Sequence, residues 1–214
     1  MPEQIKSYRT IAKPGSNEIV IKKSRFIASM QRCSSAEEAE QFIADIKKKY
    51  RDATHNTFAY RVGQLEKASD NGEPQGTAGV PELTSLRLMK LDQVVVDVTR
   101  YFGGIKLGAG GLVRAYANSA TACAEKLGVV VCCPQVKLAF ACNYHQLGLV
   151  QNYLRQNEIE VADTAYGTDV AWQIWLDDND SLLQKTETDL SNLLSEQVCL
   201  KEVGRDFREI PVAK

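Results

Sequence analysis

Histidine is scarce in this sequence, with only two among 214 residues. The six cysteines form no Cys-x-x-Cys pair. A His-rich or Cys-rich metal centre needs such clusters, and a Cys–His nucleophile needs its own pair. The sequence therefore predicts no metal and no cofactor, and we expect the cysteines to be reduced thiols scattered through the core.

Long apolar runs are missing as well. No run approaches the roughly 20 residues that a membrane-spanning helix needs. Residues 1–6 lack the apolar core of a signal peptide. We therefore expect a cytoplasmic chain with no membrane partner, and nothing in the sequence specifies its oligomeric state.

The net charge is only -1, so the whole chain has no general attraction to nucleic acid or to an anionic membrane. Its distribution is more informative, because residues 17–128 hold 16 Lys and Arg against 13 Asp and Glu, whereas residues 136–203 hold 4 against 11. This asymmetry predicts two domains, and an anionic partner should prefer the first. We place them at 1–130 and 136–204, with a tail at 205–214.

Hydrophobic periodicity predicts an α+β protein with one α/β sandwich in each domain. In the first domain we expect strands over 8–13 and 17–32, a helix capped by Ser35 with Glu38, a loop over 63–79 and a short helix after Pro81. A buried strand over 94–98 and a helix over about 110–127, with Val113 on its inward face and Gly128 at its end, complete that domain. The second domain reads βαββαβ, the order of a ferredoxin-like sandwich, with Val170, Trp172, Ile174 and Leu176 on one strand face.

The segment 99–116 concentrates glycine and positive charge between a strand and a helix. Five of the 14 glycines lie between Gly103 and Gly111. A strand, a glycine loop and a helix together can present backbone N–H groups to phosphate. Two named nucleotide motifs are nevertheless excluded, because Ala109 stands where a P-loop needs Lys, and Val113 stands where the dinucleotide fingerprint needs Gly.

The remaining interpretation is an anion-binding or nucleic-acid-binding loop, since glycine lets a partner approach the backbone and no acid lies nearby. Its candidate residues are Arg100, Tyr101, Gly103, Gly104, Lys106, Gly108, Gly110, Gly111 and Arg114. Tyr101 could stack on a base or simply pack. The alternative is a tight turn with a purely structural role.

A second candidate site involves His55, Asp70 and Glu73. A carboxylate beside a histidine can carry out acid–base chemistry. Asp70 and Glu73 lie in a glycine-rich segment, where acids also commonly form turns. Both interpretations stay open from the sequence, the structural one is favoured, and we assign no catalytic residue beyond these three candidates.

Four ordered motifs together resemble the IMPACT (YigZ) family. They are Lys22-Lys23-Ser24-Arg25-Phe26-Ile27, Ala53-Thr54-His55-Asn56, the segment 72–79 and the segment 99–116. The resemblance implies a first domain similar to domain 2 of ribosomal protein S5 and a ferredoxin-like second domain similar to the last domain of elongation factor G. One position departs from the family pattern, because Asn71 stands where an Asp is common, which weakens a metal or acid role there.

The resemblance also implies a link to translation, since eukaryotic relatives restrain a starvation-activated kinase pathway by binding its activator protein. Our leading hypothesis is a non-enzymatic cytoplasmic binding protein that holds RNA, the ribosome or an acidic protein surface through the glycine-rich segment. One alternative is a small-molecule hydrolase or nucleotide-using enzyme with His55, Asp70 and Glu73. The other is a regulator that binds only protein.

Overall fold

A computed structural model describes residues 7–212, and the chain forms two compact units. The first unit is Tyr8–Val131 together with the chain from Ile210, and the second contains Cys132–Glu209. The elements in chain order are β1 (Tyr8–Ile11), β2 (Gly15–Ile21), β3 (Ser24–Arg32), α1 (Ala36–Lys49), β4 (His55–Val62), β5 (Leu65–Ser69), α2 (Gly79–Leu88), β6 (Val94–Tyr101), α3 (Ala109–Leu127), β7 (Val129–Cys142), α4 (Leu147–Gln156), β8 (Glu160–Tyr166), β9 (Val170–Asp177), α5 (Asp180–Leu194) and β10 (Lys201–Pro211). The α+β class with two domains is confirmed. Residues 1–6 of the predicted first domain and residues 213–214 of the predicted tail lie outside the described range.

The first unit is built on an antiparallel sheet in the order β2-β3-β6-β4-β5. Helices α2 and α3 pack on one face of this sheet, where Phe26, Val96 and Val98 contribute to the core. Helix α1 covers the other face, over Phe58 and Val95. Strand β6 lies in the centre and is buried along nearly its whole length, as its apolar run predicted.

The predicted strand over 17–32 is in fact a hairpin, and the prediction of one strand was wrong. Ile21 pairs with Ser24, so Lys22 and Lys23 alone form the turn between β2 and β3. Both lysines have positive φ, 46° and 64°. Two-residue turns of this kind normally contain Asn or Gly, so the sequence carried no turn signal at this point.

The first helix begins as its capping signal predicted. The Ser35 hydroxyl accepts a hydrogen bond from the Glu38 backbone N–H at 3.3 Å. The Glu38 carboxylate reaches back to the backbone N–H of Ser34, at 2.7 Å, rather than to that of the cap residue. Capping therefore satisfies donors that the first turn of α1 would otherwise leave unpaired.

The predicted loop over 63–79 is too long, because Leu65–Ser69 forms β5 along β4. Glycine at position 63 supplies the positive φ of the turn between these strands, so it ends one strand without preventing the next. The helix predicted after Pro81 begins earlier, at Gly79. Proline is tolerated there because the first turn of a helix has no internal partners for its N–H groups.

Helix α3 ends at Leu127 before Gly128, which has φ 80°, as predicted. Ala120, Ala124 and Leu127 lie on the buried face as predicted, but the first residue of the predicted face does not. Val113 is exposed, whereas Leu112 and Tyr116 are buried against the sheet. An alanine-rich helix gives a weak periodicity, and the large buried Tyr116 identifies the inward face that the smaller residues left ambiguous.

The second unit has the predicted βαββαβ order, and its strands lie in the order β10-β7-β9-β8. Helices α4 and α5 contribute to the same core as the strands, and the predicted inward residues of β9 are all buried, namely Val170, Trp172, Ile174 and Leu176. These features match a ferredoxin-like sandwich. Strand β10 extends to Pro211, so most of the predicted tail at 205–214 is a strand. None of the helices within residues 7–212 combines the length and apolar content needed to cross a bilayer.

Candidate functional site

The β2–β3 turn lies directly against the segment Phe102–Gly108, which we call the Gly-rich loop. A Cβ added to Gly103 would lie 2.0 Å from the backbone carbonyl carbon of Lys23. The Gly103 N–H donates to the Ser24 hydroxyl at 3.1 Å. Only glycine permits this approach, and it brings the lysines of the turn beside the Gly-rich loop.

Other glycines of the predicted site have different roles. Gly104 and Gly108 have φ values of 81° and 72°, a backbone conformation that favours glycine. Gly110 and Gly111 lie in the first turn of α3, which contains no acidic residue. Gly103, Gly104 and Gly108 therefore shape the Gly-rich loop, while Gly110 and Gly111 leave the first turn of α3 free of bulky side chains.

Four cations of this region are exposed to solvent, at the turn, in the Gly-rich loop and on α3: Lys22, Lys23, Lys106 and Arg114. None of the four forms an ion pair within the described residues. Arg25 differs, because its guanidinium pairs with Glu18 at 2.8 Å. We call these four cations, together with Phe102, the basic loop surface.

Arg100 lies beneath this surface and not on it. Its side chain is only 7% exposed, and Nη1 lies 2.6 Å from Oε1 of Glu73. Its guanidinium lies 5.4 Å from the ring centroid of Phe26 and 5.5 Å from that of Phe102. The charge of Arg100 is therefore balanced internally, and the side chain supports the Gly-rich loop from below.

The two aromatic residues after Arg100 also differ in environment. The Tyr101 hydroxyl donates to the Asp52 carboxylate at 3.0 Å, and Arg25 lies 5.3 Å from its ring centroid. Phe102 is 47% exposed, and Arg100 contacts it from below. An exposed ring on a fixed support can stack on a nucleobase, so Phe102 is a stronger candidate for stacking than Tyr101.

The structure brings two of the three acid–base candidates together. Nε2 of His55 lies 3.9 Å from Oε1 of Glu73, and the same oxygen accepts from Tyr116 at 2.7 Å in addition to Arg100. Asp70 has another role, since its carboxylate accepts from the backbone N–H groups of residues 76, 78 and 79 at 2.7–3.0 Å. Asp70 anchors the loop that leads into α2, and Glu73 is the buried counter-ion of Arg100.

Sequence reasoning missed two buried acids in the first unit. Burial raises the pKa of Asp97 to about 8, although the Lys47 ammonium opposes the shift. Glu82 is fully buried, and burial raises its pKa well above the usual range. The position of Asp97 inside the apolar run 94–98 was the available signal, because a carboxylate in a central strand is rarely solvated.

The surroundings of Glu82 fit its neutral form. The Thr57 hydroxyl contacts both Oε1 of Glu82 and the Val98 carbonyl oxygen, the latter at 3.2 Å. A hydroxyl has one proton, so it can donate to only one of these two oxygens. A protonated Glu82 completes the arrangement by donating to Thr57, whose own proton then goes to the Val98 carbonyl.

Metal ligation finds little support in this arrangement. Across residues 7–212, no three side chains of His, Cys, Asp or Glu are grouped closely enough to hold a metal ion. The carboxylates described above already bind an arginine, a tyrosine, a threonine or backbone N–H groups. The buried carboxylates of this region therefore have partners within the protein.

Comparison with known proteins shows which families the two parts of the chain match. Residues 22–124 match the Impact N-terminal domain, and residues 140–195 match a domain of unknown function (DUF1949). The chain is 40% identical over 190 residues to IMPACT family member YvyE of Bacillus subtilis, covering 87% of this chain and 88% of the relative. It is 34% identical to IMPACT family member YigZ of Escherichia coli, covering 68% of this chain and 74% of the relative. A crystal structure of a hypothetical protein, 29% identical, superposes with a TM-score of 0.59 over 94% of this chain and 99% of that one.

Proposed function

The chain belongs to the IMPACT family, and from this premise we propose that it binds RNA of the translation machinery through the basic loop surface. In this role it is a non-enzymatic, cytoplasmic regulator linked to the ribosome. The binding would combine phosphate contacts from the cations with stacking of a base on an aromatic ring.

The single observation that carries the proposal is the exposed Phe102 ring in a region with four exposed cations that form no ion pair within residues 7–212. Arg100 fixes this ring from below, and Gly103 holds the Lys22-Lys23 turn beside it. Single-stranded nucleic acid is commonly bound by such a combination of positive groups and aromatic faces. A surface that served only as a structural turn would not need exposed cations and an exposed aromatic ring together.

The second unit is a poor surface for RNA because acids dominate residues 136–203. Phosphate would be repelled by its excess of negative charge. We therefore assign RNA binding to the first unit alone, and expect the second unit to contact protein.

Reversal of one loop charge tests the proposal. We expect the wild-type protein to sediment with ribosomes at low salt and to dissociate steeply as the salt concentration rises. Lys106→Glu should weaken this binding and reduce the slope of the salt dependence by about one phosphate contact. Sedimentation and fluorescence anisotropy with a labelled decauridylate give the two measurements.

Lys48→Glu is the matched control, because Lys48 is an exposed residue of α1 on the opposite face of the sheet. It makes the same charge change and should leave binding close to that of the wild type. Binding that is insensitive to salt, or that survives complete nuclease treatment of the ribosomes, would instead indicate a protein partner. Equal effects of the two reversals would contradict the assigned surface.

A further inference from the structure

The β2–β3 turn places lysine where backbone conformation disfavours it. Lys22 and Lys23 have φ values of 46° and 64°, in the left-handed region. A hairpin turn of two residues in this conformation is most stable with Asn followed by Gly. Residues held in such conformations cluster at functional sites, so the two lysines are candidates for a role that the fold itself does not require.

The first of these lysines borders a groove against α3 of about 250 Å³. Its floor is apolar and is formed by Ile21, Leu107 and Ala115. Its rim carries Lys22, Arg114 and the amide of Asn118, and no acidic residue lines it. The groove thus combines an apolar floor with two cations and one group that can both donate and accept hydrogen bonds.

We propose that this groove holds one nucleotide of the bound RNA strand, a proposal that rests on the proposed function. The base lies on the apolar floor with its edge toward Asn118, and Lys22 and Arg114 bind the flanking phosphates. The volume supports a ligand of this size, because pockets for larger ligands usually span about 300–1,000 Å³. Charge complementarity selects an anionic ligand, and the apolar floor favours a base over an acidic side chain.

The lysine turn supplies the sharpest test, since one substitution should change stability and binding in opposite directions. Lys22→Asn should raise the Tm by about 2–4 °C, because Asn tolerates the left-handed conformation. The same variant should weaken binding of labelled decauridylate about fivefold at 0.1 M salt, through loss of one phosphate contact. Thermal unfolding and anisotropy measure the two effects on one preparation.

Lys90→Asn is the matched control, because Lys90 is also exposed and also left-handed, with φ 56°. It follows α2 and does not line the groove. We expect Lys90→Asn to raise the Tm in the same way and to leave decauridylate binding unchanged. The pair separates the backbone effect from the loss of a contact with RNA.

A second variant tests the position of the base. Uridine 5′-monophosphate should shift the amide NMR signals of Gly111 and Asn118, and inorganic phosphate should do so at least fivefold more weakly. Asn118→Leu keeps the charge of the groove and should weaken the nucleotide without weakening phosphate. Equal affinity for phosphate and nucleotide would overturn the proposal in favour of a simple anion site, and equal competition by oligoglutamate would overturn it in favour of an acidic peptide.

The two proposals fail in different ways. If the wild type binds neither ribosomes nor decauridylate at low salt, the proposed function fails, and the nucleotide groove fails with it. If the wild type binds and Lys106→Glu weakens binding, but Lys22→Asn and Asn118→Leu do not, only the groove proposal fails. Weakening by all three variants, with Lys90→Asn unchanged, supports both.

Discussion

Arg100 and Lys106 are six residues apart in the sequence and carry the same charge, yet their surroundings give them different roles. Lys106 is exposed and unpaired within the described structure. Arg100 is buried between two phenylalanine rings and paired with Glu73. At the scale of the residue, burial and partners decide whether a cation can meet a ligand or must hold the protein together.

The Glu73–Arg100 pair gives a prediction at this scale. Glu73→Gln should lower the free energy of unfolding by about 3–5 kcal/mol, because it leaves a buried guanidinium without a counter-ion. Glu18→Gln is the control, since it breaks an exposed Arg25 pair and should cost less than about 1 kcal/mol. Urea unfolding measures both, and equal costs would show that Glu73 is not the structural counter-ion that its contacts indicate.

At the scale of the element, the β2–β3 hairpin contacts the connection from β6 to α3. Strand β3 pairs with β6 along its length, from Arg25 opposite Tyr101 to Arg32 opposite Val94. Beyond the paired residues, Gly103 continues the contact with the hairpin turn. The cations of two separate connections are thereby gathered into one surface by the register of two central strands.

Two glycine substitutions test this arrangement. Gly103→Ala should destabilise the protein by about 1–3 kcal/mol, since the added carbon would collide with the Lys23 backbone. Gly110→Ala should instead stabilise it by up to about 1 kcal/mol, because its Cβ would lie 3.7 Å from Arg114 and alanine favours a helix. Thermal and urea unfolding of the two variants measure the contrast. Similar stabilities would mean that the hairpin turn yields easily to a side chain.

At the scale of the whole molecule, the stability of the folded chain depends on the titration of one buried carboxyl group, Asp97. The pKa of Asp97 is about 8 in the folded chain, whereas that of an unfolded Asp is about 4. The unfolded chain therefore releases this proton first as the pH rises, and the stability contributed by Asp97 is highest below about pH 4 and is lost up to about pH 8. The slope is at most about 1.4 kcal/mol per pH unit.

Asp97→Asn should remove this slope. We expect the free energy of unfolding of the variant, relative to wild type, to rise between pH 5 and pH 8, because Asn stays neutral in both states. Glu125→Gln, at an exposed position of α3, should follow the wild-type curve in parallel. Urea titrations at several pH values provide the comparison, and parallel curves for Asp97→Asn would contradict a neutral buried carboxyl.

Much of this architecture was predictable because it depends on local signals. Ser35 and Gly128 marked helix ends through capping, and the alternation of β9 identified its buried face. The Lys22-Lys23 turn was not predictable, since tertiary contacts hold lysines in a conformation that local preference disfavours. The different roles of Arg100 and Lys106 could not be predicted either, because the burial of Arg100 depends on its pairing with Glu73, 27 positions away in the sequence.

The close approach at Gly103 has a consequence for anyone who wishes to transplant this surface. The hairpin turn and the Gly-rich loop fit together without room for one additional carbon atom at position 103, so a graft that adds a side chain there must also move the turn. We expect a graft to reproduce the surface best when it carries both segments together with the β3–β6 pairing that sets their register. The two segments therefore form one structural unit, although Ser24 and Gly103 are 79 residues apart in the sequence.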